Sequence, residues 1–120
     1  IFLMTPLEIL ANDNFGLKSF TGVESLLPDS RYGILEPIGK EFNQFEAIDI
    51  VIVPGVAFDS QCHRLGRGKG FYDRLLPQIP HAVKIGVCFD HQIVEELPSE
   101  PHDVLMDLVI SPSLIINRHI

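Results

Sequence analysis

Cysteine and positive charge are both scarce in this chain. Cys62 and Cys88 are the only cysteines in 120 residues, too few for the disulfide framework of a small secreted protein. A zinc site finds no support either, because Cys62-His63 has no second ligand pair and zinc is held by four ligands from paired motifs. Lys and Arg together number 9 against 16 Asp and Glu, which leaves a net charge of −7. That balance argues against general nucleic-acid or membrane-surface binding, although it leaves room for one basic pocket. No apolar run approaches the roughly 20 residues of a membrane span. The opening run Ile1–Met4 is too short for a secretory leader and has no basic stretch before it. The expectation is a cytoplasmic monomer with no membrane or nucleic-acid partner.

What is present fits an ordinary globular protein. The hydrophobic fraction is 46% and the charged fraction 21%, and the length suits one domain over 1–120 with one core. The first thirty residues carry weak signals: a strand end at Ile1–Met4, a helical turn or two over 6–11, an irregular strand over 15–23, a loop over 26–31. A short extended segment is expected over 32–36, a connector over 37–43 and a helical turn within 42–48. From there the pattern sharpens. Strands are predicted at Asp49–Val53, Val83–Phe89 and Leu105–Ile110, with a last edge strand at Leu114–Ile116. Helices are predicted at Gly70–Leu76 and His91–Leu97. Strands alternating with helices imply an α/β fold with a mainly parallel sheet and helices on both faces, a Rossmann-like three-layer sandwich. Ligands in such sheets bind at the carboxyl ends of strands, where Pro54–Gly70 and Phe89–His91 fall.

The most informative stretch is Asp49–Arg74. An apolar strand ends at Pro54-Gly55, and three glycines follow at alternate positions, Gly66, Gly68 and Gly70. Arg64, Arg67, Lys69 and Arg74 against Asp73 give the turn a surplus of three positive charges in an acidic chain. Glycine lets a backbone approach a ligand closely, and a loop feeding a helix aims free N–H groups at one place, which favours anions. A basic glycine turn after a strand therefore reads as a phosphate site, with a solvated basic turn as the alternative. It is neither of two common phosphate motifs. Lys69 is followed by Gly70 and not by Ser or Thr, and Phe71 stands where a dinucleotide fingerprint needs its last glycine.

The run PGVAFD, followed by RLGRGKGFYDR, resembles the signature of the 5-formyltetrahydrofolate cyclo-ligase (methenyltetrahydrofolate synthetase) family. Weaker similarity runs from Gly33-Ile34-Leu35-Glu36-Pro37 to Pro101-His102-Asp103. There are departures. Cys62 stands where the family usually has a turn glycine, and Phe71 replaces the first tyrosine. Lys69 is an accepted variant. Family members are longer, so the resemblance implies the C-terminal portion of such a protein.

The resemblance implies an ATP- and Mg2+-dependent reaction. 5-Formyltetrahydrofolate and ATP give 5,10-methenyltetrahydrofolate, ADP and phosphate, through attack of the formyl oxygen on the γ-phosphate and then ring closure by the neighbouring nitrogen. Arg67 and Lys69 are the implied catalytic residues, stabilising the transferring phosphoryl group. Arg64, Leu65, Gly66, Arg67, Gly68, Lys69, Gly70, Phe71 and Tyr72 form the implied ATP-binding loop, and Asp73 and Asp103 the implied Mg2+ ligands. Arg64 has two readings, an outer phosphate contact or a brace of the loop through Asp59. Tyr72 has three: a stack on the folate, a phosphate hydrogen bond, or a half-buried aromatic. Phe58 reads as core, Asp59 as a loop brace and Glu36 as structural. His102 beside Asp103 is not read as an acid/base pair. The competing functions are a non-catalytic nucleotide- or ligand-binding module of this family and a sugar-phosphate isomerase-like protein.

Overall fold

The computed structural model describes residues 2–6, 15–19, 26–28, 35–37, 41–42, 44–67 and 70–120. Two units emerge, Ile1–Phe45 and Glu46–Ile120. In the first, β1 (Phe2–Pro6) and β2 (Phe15–Ser19) pair antiparallel from Phe2 opposite Ser19 to Pro6 opposite Phe15. β3 (Leu26–Pro28) pairs antiparallel with β4 (Leu35–Pro37), and β5 (Glu41–Phe42) adds to the free side of β2. The loop expected over 26–31 thus holds a short strand, and so does the connector over 37–43. The helical turns expected over 6–11 fall outside the described residues, apart from Pro6, which closes β1.

The second unit follows the sequence more closely. Its strands are β6 (Ile50–Val53), β7 (Ala57–Asp59), β8 (Arg64–Leu65), β9 (Val83–Val87), β10 (Ile93–Val94), β11 (Leu108–Ile110) and β12 (Ile115–Asn117). The helix α1 (Phe71–Leu75) continues as a 3-10 turn over Leu76–Gln78. The main sheet has the order β12-β11-β9-β6, with β6, β9 and β11 parallel and β12 antiparallel. A smaller sheet has the order β10-β7-β8. Together they make a mixed α/β structure with few helices. Among the described residues no helix is long and apolar enough to cross a membrane.

Both crossovers in the main sheet step the same way, from β6 to β9 and from β9 to β11. Crossovers between parallel strands are right-handed, so two that step in one direction lie on one face. The side chains agree. A Cβ added at Gly86 in β9 would meet the Phe58 ring at 2.5 Å, so β7 lies against the bare backbone of β9. Two residues earlier, on the same face, Lys84 is 5% exposed. Its ammonium donates to the carbonyls of Ile79 (3.2 Å), Pro80 (3.4 Å) and Ala82 (3.0 Å), so a buried charge is satisfied by the chain that follows the 3-10 turn. Val53, Phe58, Leu75, Leu76, Ile79, Met106 and Val109 complete this core.

The opposite face differs from the expectation of a strand covered on both sides. Ile50, Ile52, Val83, Val87 and Ile115 are 42–68% exposed. β6 has one neighbour, β9, among the described residues. The helical layer expected on this face is not found among the described residues. The helix expected at His91–Leu97 is replaced by a 3-10 turn, Asp90–Gln92, and by β10. The Gln92 side chain folds back to accept from the Phe89 N–H at 2.8 Å, which closes the turn, and β-branched Ile93 and Val94 pair with Phe58 and Asp59. The third strand begins at Leu108 because the N–H of Met106 turns away to the carbonyl of Cys62 at 2.9 Å.

Asp107 ties the amino ends of the strands together. Its carboxylate accepts from the Lys84 backbone N–H (2.9 Å), Arg118 Nη2 (3.0 Å) and His119 Nε2 (2.7 Å). Burial pushes this carboxyl up, but those hydrogen bonds and the Arg118 charge outweigh it, and its pKa lies below the ordinary value.

Two outcomes are expected. Gly86→Ala should destabilise the unit by about 1–3 kcal/mol, because the methyl group meets a ring with no room to move, as read by denaturant unfolding. Asp107 binds its proton more weakly folded than unfolded, so its contribution is full above about pH 4 and is lost as pH falls through the lower folded value. Asp107→Asn should therefore lower stability at pH 7 by about 2 kcal/mol and flatten the acid limb of the stability profile.

Candidate functional site

The loops at the carboxyl ends of β6, β9 and β11 are stitched to one another by side chains. Gln92 Nε2 donates to the carbonyls of Gly55 and Val56, both at 3.1 Å. Asp90 accepts from Ser111 Oγ at 2.6 Å and the Ser113 N–H at 3.2 Å. The Ser111 bond, followed by those to Ser113, holds the Asp90 carboxyl below its ordinary pKa. Phe89, 66% exposed, stacks on His91 with ring centres 5.9 Å apart and planes 6° from parallel. Sequence reasoning placed Phe89–His91, and with it Asp90, at this edge but missed Gln92. Its only signal was a polar side chain shortly after a strand.

From β6 the chain runs through Pro54-Gly55 into the hairpin of β7 and β8, which the sequence presented only as a loop. The hairpin is closed by the Val56 N–H on the Leu65 carbonyl at 2.7 Å and by Asp59, 1% exposed. The Asp59 carboxylate accepts from the N–H groups of Gln61 (3.0 Å), His63 (2.9 Å) and Leu97 (3.0 Å) and from His63 Nδ1 (2.9 Å). Burial raises the Asp59 pKa, yet the bonds from Leu97, His63 and Gln61 prevail and the net shift is downward. Cys62 takes the left-handed backbone, φ 69°, which explains why glycine suits this position. Its side chain is fully buried, so the residue that replaces glycine also fills core space.

Leaving β8, the chain passes Gly66 and Arg67 and reaches Gly70, whose φ of 76° is the second left-handed position. Gly70 precedes α1, and its carbonyl accepts the Arg74 N–H at 3.0 Å. Gly68 and Lys69 lie outside the described residues. Phe71 opens α1, Leu65 is 46% exposed and Arg67 is exposed.

Arg64 is the best-anchored side chain of the predicted set. It is 10% exposed. Its Nε donates to the Pro54 carbonyl at 2.7 Å, its Nη1 lies 3.6 Å from Asp73 Oδ1, and its guanidinium carbon sits 4.9 Å from the centre of the Tyr72 ring. Burial lowers its pKa, opposed by Asp73 and Tyr72. Burial likewise raises Tyr72, opposed by Arg64. The brace expected between Arg64 and Asp59 is corrected: Arg64 braces through Pro54, Tyr72 and Asp73, while Asp59 is bound to Gln61, His63 and Leu97.

The two candidate metal ligands fall in different clusters. The Asp73 side chain is 75% exposed in the first turn of α1, beside Arg64. Asp103 sits in a turn where it accepts the Glu100 N–H at 2.7 Å, and the ligand atoms of Glu100, His102 and Asp103 lie within 4.8 Å of one another. Asp103 also lines a cavity of about 460 Å3 with Leu76, Pro77, Lys84, Asp107 and Arg118. Magnesium takes one or two carboxylates and keeps several waters, and the open carboxylate of Asp73 fits that role. Asp103 has one oxygen committed to Glu100 and one left for a ligand.

Comparisons with known proteins identify the family. A probable 5-formyltetrahydrofolate cyclo-ligase of Schizosaccharomyces pombe is 33% identical over 114 residues, 82% of this chain and 55% of its own. The 5-formyltetrahydrofolate cyclo-ligase of Escherichia coli K12 is 43% identical over 70 residues, 57% of this chain and 38% of its own. This chain thus spans about half or less of the length of these curated relatives. The solved structure of Aquifex aeolicus 5,10-methenyltetrahydrofolate synthetase superposes with a TM-score of 0.76 at 33% identity, covering 99% of this chain and 59% of that one. The profile of the 5-formyltetrahydrofolate cyclo-ligase family matches residues 9–112, from before β2 through the hairpin, the glycine turn and α1 to the end of β11. With that match covering most of its length, the chain belongs to the 5-formyltetrahydrofolate cyclo-ligase family.

Proposed function

We propose that this chain takes part in the ATP- and Mg2+-dependent cyclisation of 5-formyltetrahydrofolate to 5,10-methenyltetrahydrofolate, with release of ADP and phosphate. The observation that carries the proposal is the turn from β8 to α1, where Arg64, Tyr72 and Asp73 meet beside the glycine loop. Phosphoryl transfer asks for positioning and charge stabilisation more than for covalent chemistry, and the turn offers both.

Leu65, Gly66, Arg67, Gly68, Lys69, Gly70, Phe71 and Tyr72 would supply the backbone and side-chain floor of the nucleotide site. Arg67 and Lys69 would neutralise the transferring phosphate. Asp73 and Asp103 would be the Mg2+ ligands, their separate clusters brought together around the ion, which would supply charge neutralisation to the phosphate. Tyr72 presents one half-buried aromatic face toward Arg64 and would border the substrates. The same reading includes a helical layer over the Ile50, Ile52, Val83 and Val87 face, supported by the apolar character of that face and by the rule that parallel sheets are covered on both sides. It also takes the protein as a cytoplasmic monomer without a nucleic-acid partner, consistent with a net charge of −7.

The test mixes the protein with 5-formyltetrahydrofolate and Mg-ATP and follows the near-UV absorbance of the methenyl product. A rise that needs both ATP and Mg2+ is expected. No rise, with ATP binding retained by calorimetry, would select the non-catalytic binding module instead. Replacing both Arg67 and Lys69 with Ala should weaken ATP binding by about ten- to a hundredfold with unchanged circular dichroism. Unaltered affinity would remove these two residues from the phosphate site.

A further inference from the structure

We propose that Arg64 is a positioning residue that sets the Tyr72 ring and the Asp73 carboxylate at the start of α1, and that it is not a phosphate ligand. The inference rests on the nucleotide and metal roles proposed above for the β8–α1 turn. Three observations carry it. The guanidinium is fixed at its root, because Nε donates to the Pro54 carbonyl at 2.7 Å on the far side of the hairpin. Its guanidinium carbon lies over the Tyr72 ring, 4.9 Å from the centre, and its outer nitrogen lies 3.6 Å from Asp73. Its side chain is 10% exposed, whereas that of Asp73 is 75% exposed. The buried member of the pair therefore faces the protein and the open member faces solvent. Gly66 is packed against the same group, since a Cβ there would lie 3.0 Å from both terminal guanidinium nitrogens.

This geometry needs arginine and not merely a positive charge. A planar fork can bond a carbonyl through one nitrogen, face a ring and reach a carboxylate at the same time. A lysine ammonium at the end of a flexible stem cannot do all three. Arg64 thus links β6, through Pro54, to the first turn of α1. It orients Asp73 as a hydrogen-bonding partner orients a metal ligand. At 3.6 Å the contact is longer than a strong ion-pair bond, so it aims the Asp73 carboxylate without occupying it tightly.

The first readout does not depend on activity. The chain has two tyrosines, Tyr32 and Tyr72, and no tryptophan, so Tyr32→Phe leaves Tyr72 as the sole emitter. In that background Arg64→Ala and Arg64→Lys should both raise acrylamide quenching of Tyr72, by about twofold, since the guanidinium no longer shields the ring. Quenching that stays unchanged in Arg64→Lys would overturn the proposal. The second readout is ATP affinity by calorimetry with and without Mg2+. Arg64→Lys and Arg64→Ala should each weaken Mg-ATP binding by roughly tenfold, the scale seen when a metal ligand loses its support. Metal-free ATP binding should fall less than Mg-ATP binding. If the two affinities fall equally, Arg64 gives no support to the metal ligand and the positioning role is refuted. Should Arg64→Ala fail to fold, Arg64→Lys decides through both readouts. A parent protein that binds no ATP would remove the nucleotide reading, while the quenching arm would still judge the link from Arg64 to Tyr72.

Discussion

A buried carboxylate sets the shape of the region that matters most. Asp59 has almost no contact with solvent, and an ionised group in that position is costly unless it is fully bonded. It is: Gln61, His63 and Leu97 all donate to it. Those bonds leave one geometry for the turn between β7 and β8. They force the left-handed backbone at Cys62 and hold the segment after β10 against the hairpin. The hairpin then has a fixed end from which β8 delivers Gly66 and Arg67. A loop of glycines can serve as a site only if it is launched from something stiff.

A second constraint comes from the winding of the main sheet. Because both crossovers step the same way, they lie on the Gly86 and Lys84 side of the sheet. That puts Phe58 on glycine backbone and Lys84 under a ring of carbonyls. The unusual residues of β9, one glycine and one lysine on its covered face, are each explained by what packs on them. The other face keeps its apolar side chains in the open.

The site combines opposite electrostatic habits. The chain as a whole is acidic, and its carboxylates at Asp59, Asp90 and Asp107 are tied up by hydrogen bonds that stabilise their charged forms. Four of the nine basic residues, Arg64, Arg67, Lys69 and Arg74, fall within the stretch of the glycine turn. One of them, Arg64, is drawn inward and bound to the protein, while Arg67 remains exposed. The sequence left Arg64 with two readings, an outer phosphate contact or a brace, and spacing alone could not choose between them.

The sequence by itself determined the strands of the main sheet, since the β-branched residues of runs such as Ile50–Val53 and Val83–Val87 favour extended backbone. It also determined the glycine turn, and through PGVAFD and RLGRGKGFYDR the family. Those are local properties, written in residue types and spacing. What it could not determine are the features that need two distant segments to meet. His91–Leu97 has helical spacing, yet Gln92 is captured by the Gly55 and Val56 carbonyls and Ile93-Val94 by β7. The strands β7 and β8 are too short for a periodic signal and exist because they pair with each other. Only the tertiary structure decided that Arg64 turns toward Pro54 and Tyr72 and away from Asp59, because a long side chain chooses among partners by distance in space, which no spacing along the chain records.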